Sequence, residues 1–153
     1  MYVKLRFEGV KLQRPNKQVK VELENITTPG VYQFTHLITF TSDTNGIYRN
    51  SNNQITGITP ANYNIYLSGP SHLRKKIAGI TLTTGTNDID LSTQVLLAGD
   101  IVDDNKVDLA DYNQMVIDLS QNNVTSLSDL DFDGDVDIYD FNLMMGDFGK
   151  TGD

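Results

Sequence analysis

The chain has no cysteine and no tryptophan, only two histidines and four prolines, and no long apolar run. Without cysteine there are no disulfides and no thiolate metal sites, so packing and bound ions must supply the stability. Without an uninterrupted stretch of about 20 apolar residues there is no membrane-spanning helix to predict. The opening Met1-Tyr2-Val3-Lys4 lacks the apolar core of a secretion signal and runs straight into strand-like alternation, which suggests a piece of a larger secreted or cell-surface protein. The two histidines, His36 and His72, have no nucleophile motif around them, so an enzyme is not expected.

Basic residues are scarce in one half and acidic residues in the other. Residues 1–97 hold 10 Lys/Arg against 6 Asp/Glu, whereas residues 98–153 hold 2 against 14, which divides the net charge of −8 into +4 and −12. An acidic tail of that density is ordinarily disordered, yet this one keeps regularly spaced Leu, Ile, Met, Phe and Tyr. Cations are the expected neutralising partner. The overall acidity and the lack of an aromatic-basic stripe argue against nucleic acid. Arg74, Lys75 and Lys76 form a small basic cluster of the kind that blunts a strand edge.

The first 97 residues read as short strands near 2–10, 18–26, 31–41, 46–49, 62–68, 75–83 and 87–91. Turn signals separate them, among them Thr28-Pro29-Gly30, Asp43-Thr44-Asn45-Gly46 and Ser68-Gly69-Pro70. That spacing predicts an all-β sandwich over 1–97, followed by a second small domain over 98–153. The short link from Leu91 to Ala98 leads to an expectation that the two pack, through Val95, Leu96 and Leu97, unless those three only finish the sandwich. Tyr32, Tyr48, Tyr63 and Tyr66 are the candidates for a sugar-stacking platform, although their strand positions favour the core. A carbohydrate-binding module, with any bound ion purely structural, is therefore the alternative reading.

The tail repeats itself at an offset of 29, with "DIVDDNKVDLADYNQMVIDL" from Asp100 aligned on "DLDFDGDVDIYDFNLMMGDF" from Asp129. In the second copy Asp129, Asp131, Asp133, Asp137 and Asp140 fall at calcium-loop positions 1, 3, 5, 9 and 12, with Gly134 at position 6. Calcium takes oxygen ligands, and alternate residues of a tight loop turn their carboxylates toward one point. Asp135 is expected to offer its backbone carbonyl, Val136 to plug the loop into a core, and Asp140 to close the shell from the first helical turn. The first copy has Asp100, Asp104, Asp108 and Asp111 at positions 1, 5, 9 and 12, with Lys106 offering a carbonyl, Val102 at position 3 and Asn105 at position 6. It is expected to bind more weakly, with Asp103 pointing outward. After each loop an apolar stripe recurs at helical spacing: Leu109, Tyr112, Met115, Val116 and Leu119, then Ile138, Phe141, Met144, Met145 and Phe148. The two stripes are expected to meet and form the tail's only core.

Over residues 30–92, "TSDTNGIYRN", "ITGITPANYNIYLSGPSHLRKKIAGITL" and "GTNDIDLS" resemble the prealbumin-like or carboxypeptidase-regulatory-like β-sandwich family. Asp43, Gly46 and Tyr48 match its D-x-x-G-x-Y turn, and Ala61 stands for the glycine of its P-G-x-Y motif. That resemblance implies a spacer or adhesive module. Over residues 98–149 the twin D-x-[ND]-x-D-G-x-[VI]-[ND]-x-x-D loops, each followed directly by a helix, resemble the type I dockerin family. This second resemblance implies two calcium ions held by the aspartates above, an extracellular setting and docking onto a cohesin-like domain or another surface protein. At loop positions 10 and 11, where many type I dockerins carry Ser-Thr, this chain has Leu109-Ala110 and Ile138-Tyr139, and its inter-repeat segment "SQNNVTSLS" is short for that family's middle helix.

Overall fold

A computed structural model describes residues 1–119 and 126–153; the inter-repeat residues 120–125, where a shortened middle helix was in question, lie outside it. Seven strands form: β1 (Tyr2–Arg6), β2 (Lys17–Asn25), β3 (Tyr32–Ser42), β4 (Ile47–Arg49), β5 (Ala61–Gly69), β6 (His72–Leu82) and β7 (Asp88–Asp90). Two helices follow, α1 (Leu109–Asp118) and α2 (Ile138–Gly146). The strand order is β6-β5-β2-β3-β4-β1-β7, antiparallel throughout except for the parallel β1–β7 pair. β3 pairs with β2 through most of its length and with β4 only at Thr41 and Ser42, so the sheet folds over there into the two layers of a sandwich.

Alternation decides which side chains go inside. Val3 and Leu5 of β1, Val19, Val21 and Leu23 of β2, and Tyr63, Ile65 and Leu67 of β5 are all fully buried in one core. The D-x-x-G-x-Y turn works through its first residue. Asp43 Oδ1 accepts from the N–H groups of Asn45 (2.8 Å) and Ile47 (2.9 Å), and Tyr48 then enters the core.

Two strand ends differ from the sequence expectation. β1 stops at Arg6 rather than continuing to residue 10, because the chain turns through Gly9 (φ +80). A Cβ at Gly9 would collide with Leu143, so the turn lets α2 approach the sandwich. β6 begins at His72, three residues earlier than expected, where an isolated bridge to Ala98 anchors it.

A second core holds Leu73 of β6 with Ala98, Ile101, Val107, Met115, Leu130, Val136 and Met144. Leu96 belongs to the sandwich core and pairs in parallel with Phe7, while Leu97 packs on the second core, so the Val95-Leu96-Leu97 run serves both. Most of the two helical stripes do not meet as expected. Met115 and Met144 are buried and Tyr112 and Phe141 half-buried, but Leu109, Val116, Leu119, Ile138, Met145 and Phe148 are exposed. The physical reason is that the loops and β6 supply most of the second core, so each helix needs only one narrow edge of its stripe inside.

At the junction a half-buried acid lies against a buried one. Glu8 lies beside Asp147, which is 2 % exposed and has one oxygen without a partner. Burial first, then the Asp147 carboxylate, raises Glu8 to about 7 from an ordinary 4.5. The folded protein therefore keeps a proton that the unfolded chain releases above about 4.5, and stability falls as pH rises from 4.5 to 7. Glu8→Gln should match wild type near pH 4.5 and melt higher at pH 8 when both proteins are calcium-saturated. Buried His72, held down at about 4 mainly by desolvation, gives the opposite slope in both proteins and cancels in the difference. Thermal melts across this range that differ by a constant would refute a proton retained on Glu8.

Candidate metal centre

Each loop is organised by two aspartates whose hydrogen bonds repeat atom for atom. In the first, Asp100 accepts from the N–H groups of Asp104 (2.9 Å) and Asn105 (3.1 Å); in the second, Asp129 accepts from Asp133 (3.0 Å) and Gly134 (3.1 Å). Asp111 accepts from Ile101 (2.7 Å), Val102 (3.0 Å) and Asp108 (2.8 Å), as Asp140 does from Leu130 (2.7 Å), Asp131 (3.2 Å) and Asp137 (2.9 Å). Asp108 and Asp137 cap α1 and α2 in capping boxes closed by Asp111 and Asp140. The last carboxylate of each loop thus ties the loop's start to the helix's first turn. The first loop follows β7 with no helix between them.

The backbone repeats too. Position 6 is left-handed in both copies, Asn105 at φ 65 and Gly134 at φ 108, and so is position 4, Asp103 at φ 60 and Phe132 at φ 63. Sequence reasoning anticipated the former and Asp103's exposure, but missed what position 4 does in the second copy. Phe132 is 4 % exposed and enters the sandwich core, edge-on to Phe7 with centroids 5.3 Å apart and 5.5 Å from His72. The available signal was the alignment itself, which sets an aromatic residue against an exposed aspartate.

In the second loop the carboxylates gather. Asp129, Asp131 and Asp133 each bring an oxygen within 4.8 Å of the others, as do Asp135, Asp137 and Asp140. The expectation for Asp135 covered only its carbonyl, yet its side chain joins the second trio, and its Oδ1 is buried without a partner. Such a group is costly unless something cationic meets it. Burial, and then the neighbouring Asp140 charge, pushes Asp129 up to about 6; burial also raises Asp131 and Asp140, and the Asp133 charge raises Asp135. In the first loop burial raises Asp100 to about 6. Among the described residues both three-carboxylate groups belong to the second loop, while Val102 occupies position 3 of the first and is exposed. An all-oxygen donor set with an orphaned buried carboxylate oxygen suits a hard divalent cation.

No family model matches this chain, and no curated protein does. Solved structures do. One is a chain in the crystal structure of a C-terminal interface mutant of a type II Cohesin-X-Dockerin complex from Acetivibrio cellulolyticus, 19% identical, with a TM-score of 0.63, covering 99% of this chain and 97% of that one. Another is a chain in an N-terminal interface mutant of a type II Cohesin-X-Dockerin complex from the same organism, 18% identical, with a TM-score of 0.55 and the same coverage. The likeness is one of fold. It covers the sandwich and the loop-helix repeats together.

The other candidate surfaces fare differently. Tyr48, Tyr63 and Tyr66 are buried and cannot form a stacking platform; Tyr32 is exposed but lies edge-on to Tyr66 at 5.6 Å. Arg74 is engaged within the protein, donating to Glu22 (2.8 Å) and stacking over Tyr66 at 4.1 Å. His36 is exposed on β3, whereas His72 is buried at the junction, 4.8 Å from Phe7. No helix among the described residues is long and apolar enough to cross a membrane.

Proposed function

We propose that this chain is a non-catalytic assembly module of an extracellular or cell-surface protein, which binds two calcium ions through its twin loops and presents α1 and α2 to a cohesin-type partner. The observation that carries the partner reading is the apolar surface left open at matched repeat positions. Leu109 and Ile138 are 64% and 58% exposed, Val116 and Met145 are also open, as are Leu119 and Phe148, and Tyr139 is 71% exposed. Such a surface on a small acidic module is the mark of an interface. The whole-length likeness to one chain of a Cohesin-X-Dockerin complex supports the same reading, since a sandwich followed by two acidic loop-helix repeats fits an X-dockerin chain better than a lone cohesin.

Calcium would be held by Asp129, Asp131, Asp133, Asp137 and Asp140 with the Asp135 carbonyl, and by Asp100, Asp104, Asp108 and Asp111 with the Lys106 carbonyl. The ion would neutralise crowded carboxylates and fix the angle at which each helix leaves its loop. The aspartates serve the loops and caps, which argues against a catalytic role for them.

The test is binding to an immobilised type II cohesin domain, with and without a calcium chelator. Calcium-dependent binding that Ile138→Asp and Tyr139→Asp each weaken at least tenfold is the expected result. Capture by a dockerin but not by a cohesin would reverse the assignment, and retention by insoluble polysaccharide instead would favour a carbohydrate-binding module.

A further inference from the structure

The sandwich reaches the two loops in different ways. Toward the first loop it offers a neutral hydrogen bond: the Arg74 N–H donates to Asn105 Oδ1 (2.9 Å), beside which the C-terminal Gly152 N–H, itself outside the sandwich, donates to the Asn105 carbonyl (3.0 Å). Toward the second it offers cations. Arg14 donates from Nε to the Asp131 carbonyl (3.1 Å) and from Nη2 to Asp131 Oδ2 (3.2 Å), and Nη2 lies 4.0 Å from Asp133 Oδ2. Lys17 places Nζ 3.7 Å from the centroid of the Phe132 ring, and the Asp129 charge partly offsets its burial. The segment carrying both is fixed, because the Arg14 N–H donates to Ser42 Oγ (3.3 Å) and Tyr48 Oη donates to the Pro15 carbonyl (3.0 Å). Among the described residues, the ion pairs joining a sandwich cation to a loop carboxylate all fall on the second loop, the one with the additional aspartate at position 3.

We propose that Arg14 and Lys17 are tethered counter-cations of the second loop, which hold its carboxylates together from outside the ion's shell and compete electrostatically with the ion itself. This rests on the calcium reading above. Two consequences follow from one charge distribution. Without calcium, the second loop stays docked on the sandwich while the first loosens. With calcium, the second loop binds less tightly than its five carboxylates alone would allow, because a fixed positive charge within several ångströms opposes a divalent ion. The coupling is reciprocal, so calcium binding weakens the hold of Arg14 on Asp131 by the same factor that Arg14 weakens calcium.

The experiment compares wild type with Arg14→Met and Lys17→Met, which keep much of the apolar stems and remove the charges. In chelated protein, amide exchange at residues 131–134 should speed up in both variants. In calorimetric titration with calcium chloride, with the first site assigned by Asp104→Ala, the second loop of Arg14→Met should bind about tenfold more tightly and the first loop should be unchanged. A purely structural clamp would give the opposite sign, so weakened or unchanged second-loop affinity in both variants overturns the proposal. Absence of calcium binding in wild type would instead sink the calcium reading, and unchanged exchange in the chelated variants would then sink the counter-cation role separately. Lys17→Met carries the test should Arg14→Met fail to fold.

Discussion

Replacing Asp140 by alanine should unfold the second repeat and lower the melting temperature of the sandwich as well. Asp140 is 1 % exposed, and its carboxylate accepts three backbone N–H groups, those of Leu130, Asp131 and Asp137. Alanine strands these donors in a site too tight for easy hydration, at about 1–3 kcal/mol for each one left buried. The Asp137 bond is also one half of the capping box of α2, so the start of the helix weakens with it, before any loss of calcium is counted. A repeat this small has no such reserve. The damage spreads because Phe132, two residues beyond Leu130, sits in the sandwich core. Asp111→Ala makes the same local cut in the first repeat, where position 4 is the exposed Asp103, so it should melt α1 and leave the sandwich nearly intact. Far-UV circular dichroism and a thermal melt of each variant distinguish the two; equal effects on the sandwich would contradict the role given to Phe132.

Phe7→Ala should cost about 3–5 kcal/mol and destabilise the sandwich and the repeats together. Phe7 is fully buried, with Tyr48, His72 and Phe132 all edge-on at centroid distances of 5.0, 4.8 and 5.3 Å. Its ring also presses on Gly69, where any Cβ would overlap it. The side chain therefore fills the point at which β1, β5, β6 and the second loop converge, and truncation leaves a cavity that none of these elements can close alone. Denaturant unfolding followed by tyrosine near-UV dichroism for the sandwich and far-UV dichroism for the helices should shift by the same amount. A shift confined to the sandwich signal would mean that the two parts fold independently.

The sequence alone carries much of this because alternation and repeat spacing are local properties. All seven strands are anticipated from period-two burial and turn residues, and the loops from carboxylate spacing, including the left-handed Asn105. What escaped depends on distant segments meeting. Helical spacing shows that Leu109, Val116 and Phe148 share a face with Met115 and Met144, but not that Leu73, Ile101, Val107 and Leu130 fill the core first and leave that face partly bare. The Arg14 contact with Asp131 spans 117 residues and leaves no periodic trace. Nor does the pairing of Glu8 with Asp147, which arises only when α2 ends against the turn after β1.

The most direct test is calorimetric titration of calcium into the chelator-stripped protein, with helical content followed in parallel. Two ions bound per chain, with α1 and α2 gaining order and the second site lost in Asp140→Ala, is the result expected. Binding of no calcium, with both helices already formed, would reduce the twin loops to an acidic repeat held by capping and by the sandwich alone.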